Sequence, residues 1–129
     1  RSVHTVGLLT FEINAGLTQQ KNDTSDKNLE TALFKNTDAQ LAIAAIPDGY
    51  PPLEITNAFI DTYDNSEACE LVVGKDTLTG IRAFDGSERT ELYIFRSQAQ
   101  RVAVRVTYQS DQYERAMHHV VPTLASLLP

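Results

Sequence analysis

At 129 residues, 42% hydrophobic and 22% charged, the chain has the length and balance of one globular domain with a real core, not of a disordered segment. Its formal charge of −6 argues against binding nucleic acid or anionic membranes, both of which need clustered Lys and Arg. A single cysteine, Cys69, excludes an intrachain disulfide, a zinc ribbon and a CxxC redox centre, and no apolar run approaches the roughly 20 residues of a membrane helix.

The chain begins at Arg1 and not at Met, so a trimmed or processed domain is expected, and the lack of a targeting segment carries no weight. Val6 to Ile13 (VGLLTFEI) reads as one strand, with Leu17 to Lys21 as a short continuation after Gly16. Asn22 to Asn28 (NDTSDKN) is a polar turn cluster, and its Asn22-Asp23-Thr24 is a glycosylation triplet that matters only in a eukaryotic secretory setting. Leu29 to Lys35 mixes helix-forming residues with strand alternation and is assigned to a strand. Leu41 to Ile46 (LAIAAI) is apolar at successive positions and stops at Pro47-Asp48-Gly49, as expected of a central strand covered on both faces.

The period then changes. Pro51 and Pro52 suit a helix start, and Leu53, Ile55, Ala58, Phe59 and Tyr63 recur near helical spacing, predicting a helix of about three turns. Four strands follow over 68–73, 80–84, 90–96 and 101–108. Between the first two lies VVGKDTLTGIRAF, the nearest approach to a nucleotide motif. A phosphate-binding loop needs GxxxxGK[ST] opening a helix; here Gly74-Lys75 precede Gly80, and a strand follows. The expectation is a hairpin bend over 74–80, with both glycines at positive φ. The last segment is the clearest: Asp111 and Glu114 have capping-box spacing, and Tyr113, Ala116, Met117, Val120, Val121, Leu124, Leu127 and Leu128 form one helical stripe. Pro122 should kink or restart that helix.

Few residues carry obvious chemistry. His118 and His119 are neighbours, and helical neighbours diverge by about 100°, so they read as boundary histidines and not as a metal pair. Asp61, Asp64, Glu67 and Glu70 lack the calcium-loop pattern and read as a solvated acidic helix end. Cys69, inside a strand, reads as a small buried hydrophobe. No nucleophile elbow, cofactor motif or metal-ligand set is present, so no catalytic residue, cofactor or metal is assigned.

The last two strands allow a register argument. Pairing Phe95 with Arg101, Tyr93 with Ala103 and Glu91 with Arg105 collects Leu92, Ile94, Val102 and Val104 on the other face and makes an opposite-charge pair. The face so formed carries Tyr93, Phe95, Arg101 and Arg105. It is either half covered by the first helix or exposed as a contact surface, and aromatic residues with Arg are the types enriched where proteins meet. These four are the candidate binding residues.

LTFEINAGLTQQ, PPLEITNAFIDTY, TGIRAFDG, RVAVRVTYQSD and QYERAMHHVVPTLASLL, in that order, resemble the PsbP-like superfamily. That superfamily includes the extrinsic photosystem II protein P, the Ran-binding import factor Mog and bacterial envelope lipoproteins of the LpqN and DcrB kind. The resemblance spans nearly the whole chain. It implies a single α+β domain over 1–129, with an antiparallel sheet and helices packed on its faces. It also implies a non-enzymatic accessory or binding domain that contacts a protein partner, secreted or anchored in the cell envelope. An adaptor or chaperone for protein secretion or import is the alternative on the same scaffold; a small hydrolase with no sequence-visible site is another. No site residues transfer with the resemblance.

Overall fold

The computed structural model describes residues 1–21 and 29–129. Among them the order is β1 (Ser2–Val6), β2 (Leu9–Ile13), β3 (Thr18–Gln19), β4 (Glu30–Lys35), β5 (Gln40–Ile46), α1 (Pro52–Thr62), β6 (Asn65–Val73), β7 (Asp76–Asp85), β8 (Glu88–Arg96), β9 (Arg101–Gln109) and α2 (Tyr113–Leu127). The NDTSDKN turn cluster and its glycosylation triplet lie outside the described residues. The α+β class with antiparallel strands holds, but the single expected sheet is two. VGLLTFEI is not one strand: Gly7-Leu8 turn the chain, and β1 and β2 pair as a separate two-stranded sheet. The large sheet has the order β3-β4-β5-β9-β8-β7-β6 and is antiparallel throughout.

Both faces of the large sheet are covered. One face carries Phe34, Leu41, Ile43, Val102, Val104 and Val106 and packs against the β1–β2 hairpin and the stripe of α2. The other carries Ala44, Ile46, Ala83, Leu92 and Ala103 and meets Phe59 of α1. β5 is an interior strand of this sheet, between β4 and β9, and is buried from Leu41 to Ile46, as its unbroken apolar run foretells.

α1 begins with Pro52 in its first turn, as expected. α2 buries Ala116, Met117, Val120, Leu124 and Leu127 along one side. The expected capping box does not form. A turn of 3-10 helix over Ser110–Gln112 precedes the helix, with no side-chain cap, and the Ser110 amide instead donates to the Ser87 carbonyl at 2.8 Å. Pro122 does not restart the helix. Proline cannot supply the amide that the carbonyl four residues earlier would accept, and that carbonyl, of His118, takes a hydrogen bond from Asn14 Nδ2 at 3.3 Å.

The VVGKDTLTGIRAF stretch is a hairpin, but a tighter one than the sequence implies. Val73 pairs with Asp76 across a two-residue turn, Gly74-Lys75, in which only Gly74 takes positive φ, at 62°. Gly80 lies inside β7 for another reason: a Cβ there would sit 2.6 Å from Cδ1 of Tyr93 and would also collide with the Leu92 carbonyl. The Tyr93 ring crosses β7 where no side chain blocks it.

The β8–β9 register differs by one residue from the expected one. Tyr93 faces Val104, Leu92 faces Arg105, Phe95 faces Val102 and Glu91 faces Val106. The turn has two residues, Gln98 and Ala99, closed by the Ser97 amide on the Gln100 carbonyl at 2.9 Å, so the pairing shifts by one position. Tertiary contacts hold it. Ser97 Oγ donates to the Leu127 carbonyl at 2.5 Å, while the Gln100 amide bridges the Leu8 N–H (2.6 Å) and the Ile46 carbonyl (3.0 Å).

Candidate functional site

This register divides the four residues expected to share a surface. Tyr93 lies on the α2 side and is wholly buried, at 0% exposure. Phe95 is on the same side, half-buried against the main core. Arg101 and Arg105 are exposed on the opposite, α1 side. The composite face therefore does not exist, and Glu91 has Arg82 and not Arg105 as its ionic partner.

Tyr93 belongs to a polar cluster inside the core that the sequence reading missed. Glu67, Arg82 and Glu91 form one cross-strand row on β6, β7 and β8. Glu91 is 0% exposed and accepts from Arg82 Nε at 3.0 Å and from the hydroxyls of both Tyr93 and Tyr108. Arg82 also lies 3.7 Å from the outer carboxylate of Glu67 and under the ring of Tyr113. Burial opposes the Arg82 charge, but the adjacent carboxylate of Glu91 outweighs it and holds the guanidinium pKa above its usual value. Burial, then hydrogen bonding and the nearby Glu91 charge, push the Tyr93 and Tyr108 hydroxyls well above 10. Arg82, Glu91, Tyr93 and Tyr108 have their partners within the cluster, so the arrangement ties four strands together. A glutamate in the middle of the apolar strand RTELYIF was the available signal, because a buried carboxylate requires partners.

Cys69 is buried as expected, with Sγ 3.5 Å from the Tyr93 hydroxyl, and burial pushes its thiol pKa up. A thiol held protonated is a poor nucleophile. The four acidic residues do not make one patch. Asp61 lies in the last turn of α1, Asp64 in the bend after it, and Glu67 and Glu70 point to opposite faces of β6. His118 is exposed; His119 is half-buried, with Nε2 3.1 Å from Asn36 Nδ2 and 3.4 Å from Asp38 Oδ2.

Two open features of the large sheet bear on function. The first is the outer edge of β6, the last strand of the sheet. The two-residue turn makes Val73–Asp76 a hydrogen-bonded pair, so alternate residues back along β6 bond to β7. The N–H and C=O groups of Ser66, Ala68, Glu70 and Val72 consequently point outward, and no described residue hydrogen-bonds to them. The side chains of all four are exposed, Val72 at 65%. The second is a cavity of 260 Å³ between α1 and the sheet, floored by Ala42, Ala44, Leu92 and Ala103 and entered by Arg105. No helix is long and apolar enough to cross a membrane among the described residues. No family model, no curated protein and no solved structure matches the chain.

Proposed function

We propose that the chain is a non-enzymatic binding module: a PsbP-like accessory domain of a secreted or envelope-anchored protein that contacts a protein partner. The observation that carries this reading is the unpaired edge of β6. Four consecutive outward positions offer eight backbone hydrogen-bonding groups on a nine-residue strand. Edges of this length are usually blunted by charged side chains, above all Lys, by Pro or by a bulge. Asn65–Val73 contains no Lys or Pro and carries only Glu67 and Glu70 as charges, and its pairing with β7 runs without a bulge. An extended segment of a partner can extend the sheet there by strand addition, in which main-chain bonds supply affinity and alternate side chains supply selection. Glu70, exposed at one of these four positions, favours a segment with a basic residue opposite it.

The test uses Ala68→Pro, which removes one outward N–H and leaves the inward bonds to β7 in place. Cross-linking in the native envelope followed by mass spectrometry should recover a partner with the parent chain and lose it with Ala68→Pro. An extended peptide from that partner should slow amide exchange at Ser66, Ala68, Glu70 and Val72. If the variant folds and keeps the same partners, or if the peptide protects amides elsewhere, the reading is wrong.

A further inference from the structure

The sheet face beneath α1 has a composition that core packing does not explain. Ala42 and Ala44 on β5 adjoin Ala103 on β9, and α1 buries only Phe59 of its eleven residues. Methyl groups leave space that larger side chains would fill, and an unfilled apolar space forfeits dispersion contacts. The 260 Å³ cavity is that space. Into it, from the middle of β9, stands Arg105, with Ala42 and Leu92 as its cross-strand neighbours. Among the described residues Arg105 has neither an ion pair nor a hydrogen bond. A guanidinium carries five donors in a planar fork suited to a carboxylate.

The cavity does not end at Arg105. A second cleft of 390 Å³ shares Ala42 and Arg105 and is lined further by Lys35, Gln40 and Thr107. Those three form one cross-strand row on β4, β5 and β9, a two-residue step along the strands from Arg105. An apolar half and a cationic, polar half thus meet at one unpaired guanidinium. The chain carries a net charge of −6, so two cations at the seam run against its general character. Glu54, on the first turn of α1, is the one carboxylate among the described residues lining the apolar half, and it lies beyond ion-pair distance of Arg105.

We infer that this paired cleft binds a small apolar carboxylate, its hydrocarbon body between α1 and the alanine floor and its carboxylate on Arg105, with Lys35 beside it. A carboxylate gains from Arg105 a charge-assisted hydrogen bond that a neutral apolar ligand cannot make, and an organic cation would be repelled by it. Ligand cavities commonly run from roughly 300 to 1,000 Å³, so the apolar half suits one ring or a medium-length acyl chain and not a full lipid. The inference goes beyond strand addition at β6 and rests on different residues.

Octanoate, with octanol as its uncharged counterpart, tests this on the 129-residue chain. Octanoate should shift the amides of Ala44, Ile55 and Ala103 saturably in a nitrogen–proton correlation spectrum. Arg105→Gln should weaken octanoate about tenfold or more, the scale of losing a hydrogen bond to a charged group, and leave octanol unchanged. Glu54→Gln should tighten octanoate, since it removes the opposing charge. Ala103→Leu should abolish both by filling the floor; if that variant does not fold, the charge variants decide alone. The inference is overturned if octanoate produces no saturable shift at those amides. It is equally overturned if Arg105→Gln weakens octanoate and octanol alike.

Discussion

Replacing Glu91 by leucine should be among the most destabilising single changes in this chain. The carboxylate is fully buried and accepts three hydrogen bonds, from Arg82, Tyr93 and Tyr108. Leucine fills much of the volume and leaves all three donors behind. Arg82 is partly exposed and keeps Glu67 at 3.7 Å, so its loss is softened. Tyr93 keeps only the weak contact with Cys69 Sγ at 3.5 Å. Stranding a buried donor costs about 1–3 kcal/mol, and removing one partner of a buried ion pair costs about 3–5 kcal/mol. A loss of about 4 kcal/mol is therefore expected, against a typical total of roughly 5–15 kcal/mol. Urea unfolding followed by circular dichroism measures it, provided the slope with denaturant is unchanged. The triple variant Glu91→Leu, Tyr93→Phe, Tyr108→Phe is the decisive control, because removing donors together with the acceptor should recover a large part of the loss. If Glu91→Leu alone is within 0.5 kcal/mol of the parent, near the limit of ordinary surface substitutions, the cluster does not hold the strands together and the reasoning fails.

Alkaline pH should act on the same cluster. Tyr93 and Tyr108 have folded pKa values raised above their unfolded value of 10.0 by burial and by Glu91. The folded state then keeps protons that the unfolded state loses, so their contribution is complete below pH 10 and falls as pH rises above it, the slope steepening as the unfolded tyrosines lose their protons. Denaturant midpoints between pH 9 and 11 that do not fall would count against this. Gly80→Ala should destabilise by about 1–3 kcal/mol, the usual range for forced overpacking, because the new methyl meets the Tyr93 ring and the Leu92 carbonyl; an unchanged melting temperature would show that the ring can move aside. Asn14→Ala should cost about 0.5–1.5 kcal/mol in the parent and nearly nothing in a Pro122→Ala background, where residue 122 regains the amide that serves the His118 carbonyl; a double-mutant cycle with no coupling would refute that link. Titration with ATP should leave the amides of Gly74 and Lys75 unshifted, since they form a tight turn between two strands and no helix begins there.

The order of elements from the middle of the chain onward is legible in local sequence signals. Glycine turns, the Pro51-Pro52 helix start, the unbroken apolar run of β5 and the stripe of α2 are local signals, set by backbone sterics and by the period of each element. The same signals do not separate β1 from β2, because the apolar run continues through their turn. The tertiary structure alone decided register and facing. Collecting the aliphatic residues of β8 and β9 on one face and the polar ones on the other is a rule that holds when a sheet is covered on one side. This sheet is covered on both, by α2 with the β1–β2 hairpin and by α1, so aliphatic residues belong on either face and their segregation cannot select a register. The choice falls instead to Ser97 and Gln100, whose partners Leu127, Leu8 and Ile46 are distant in sequence. That single-residue step buries Tyr93 and Glu91 in a polar cluster, and it sets Arg105 unpaired in the cleft under α1.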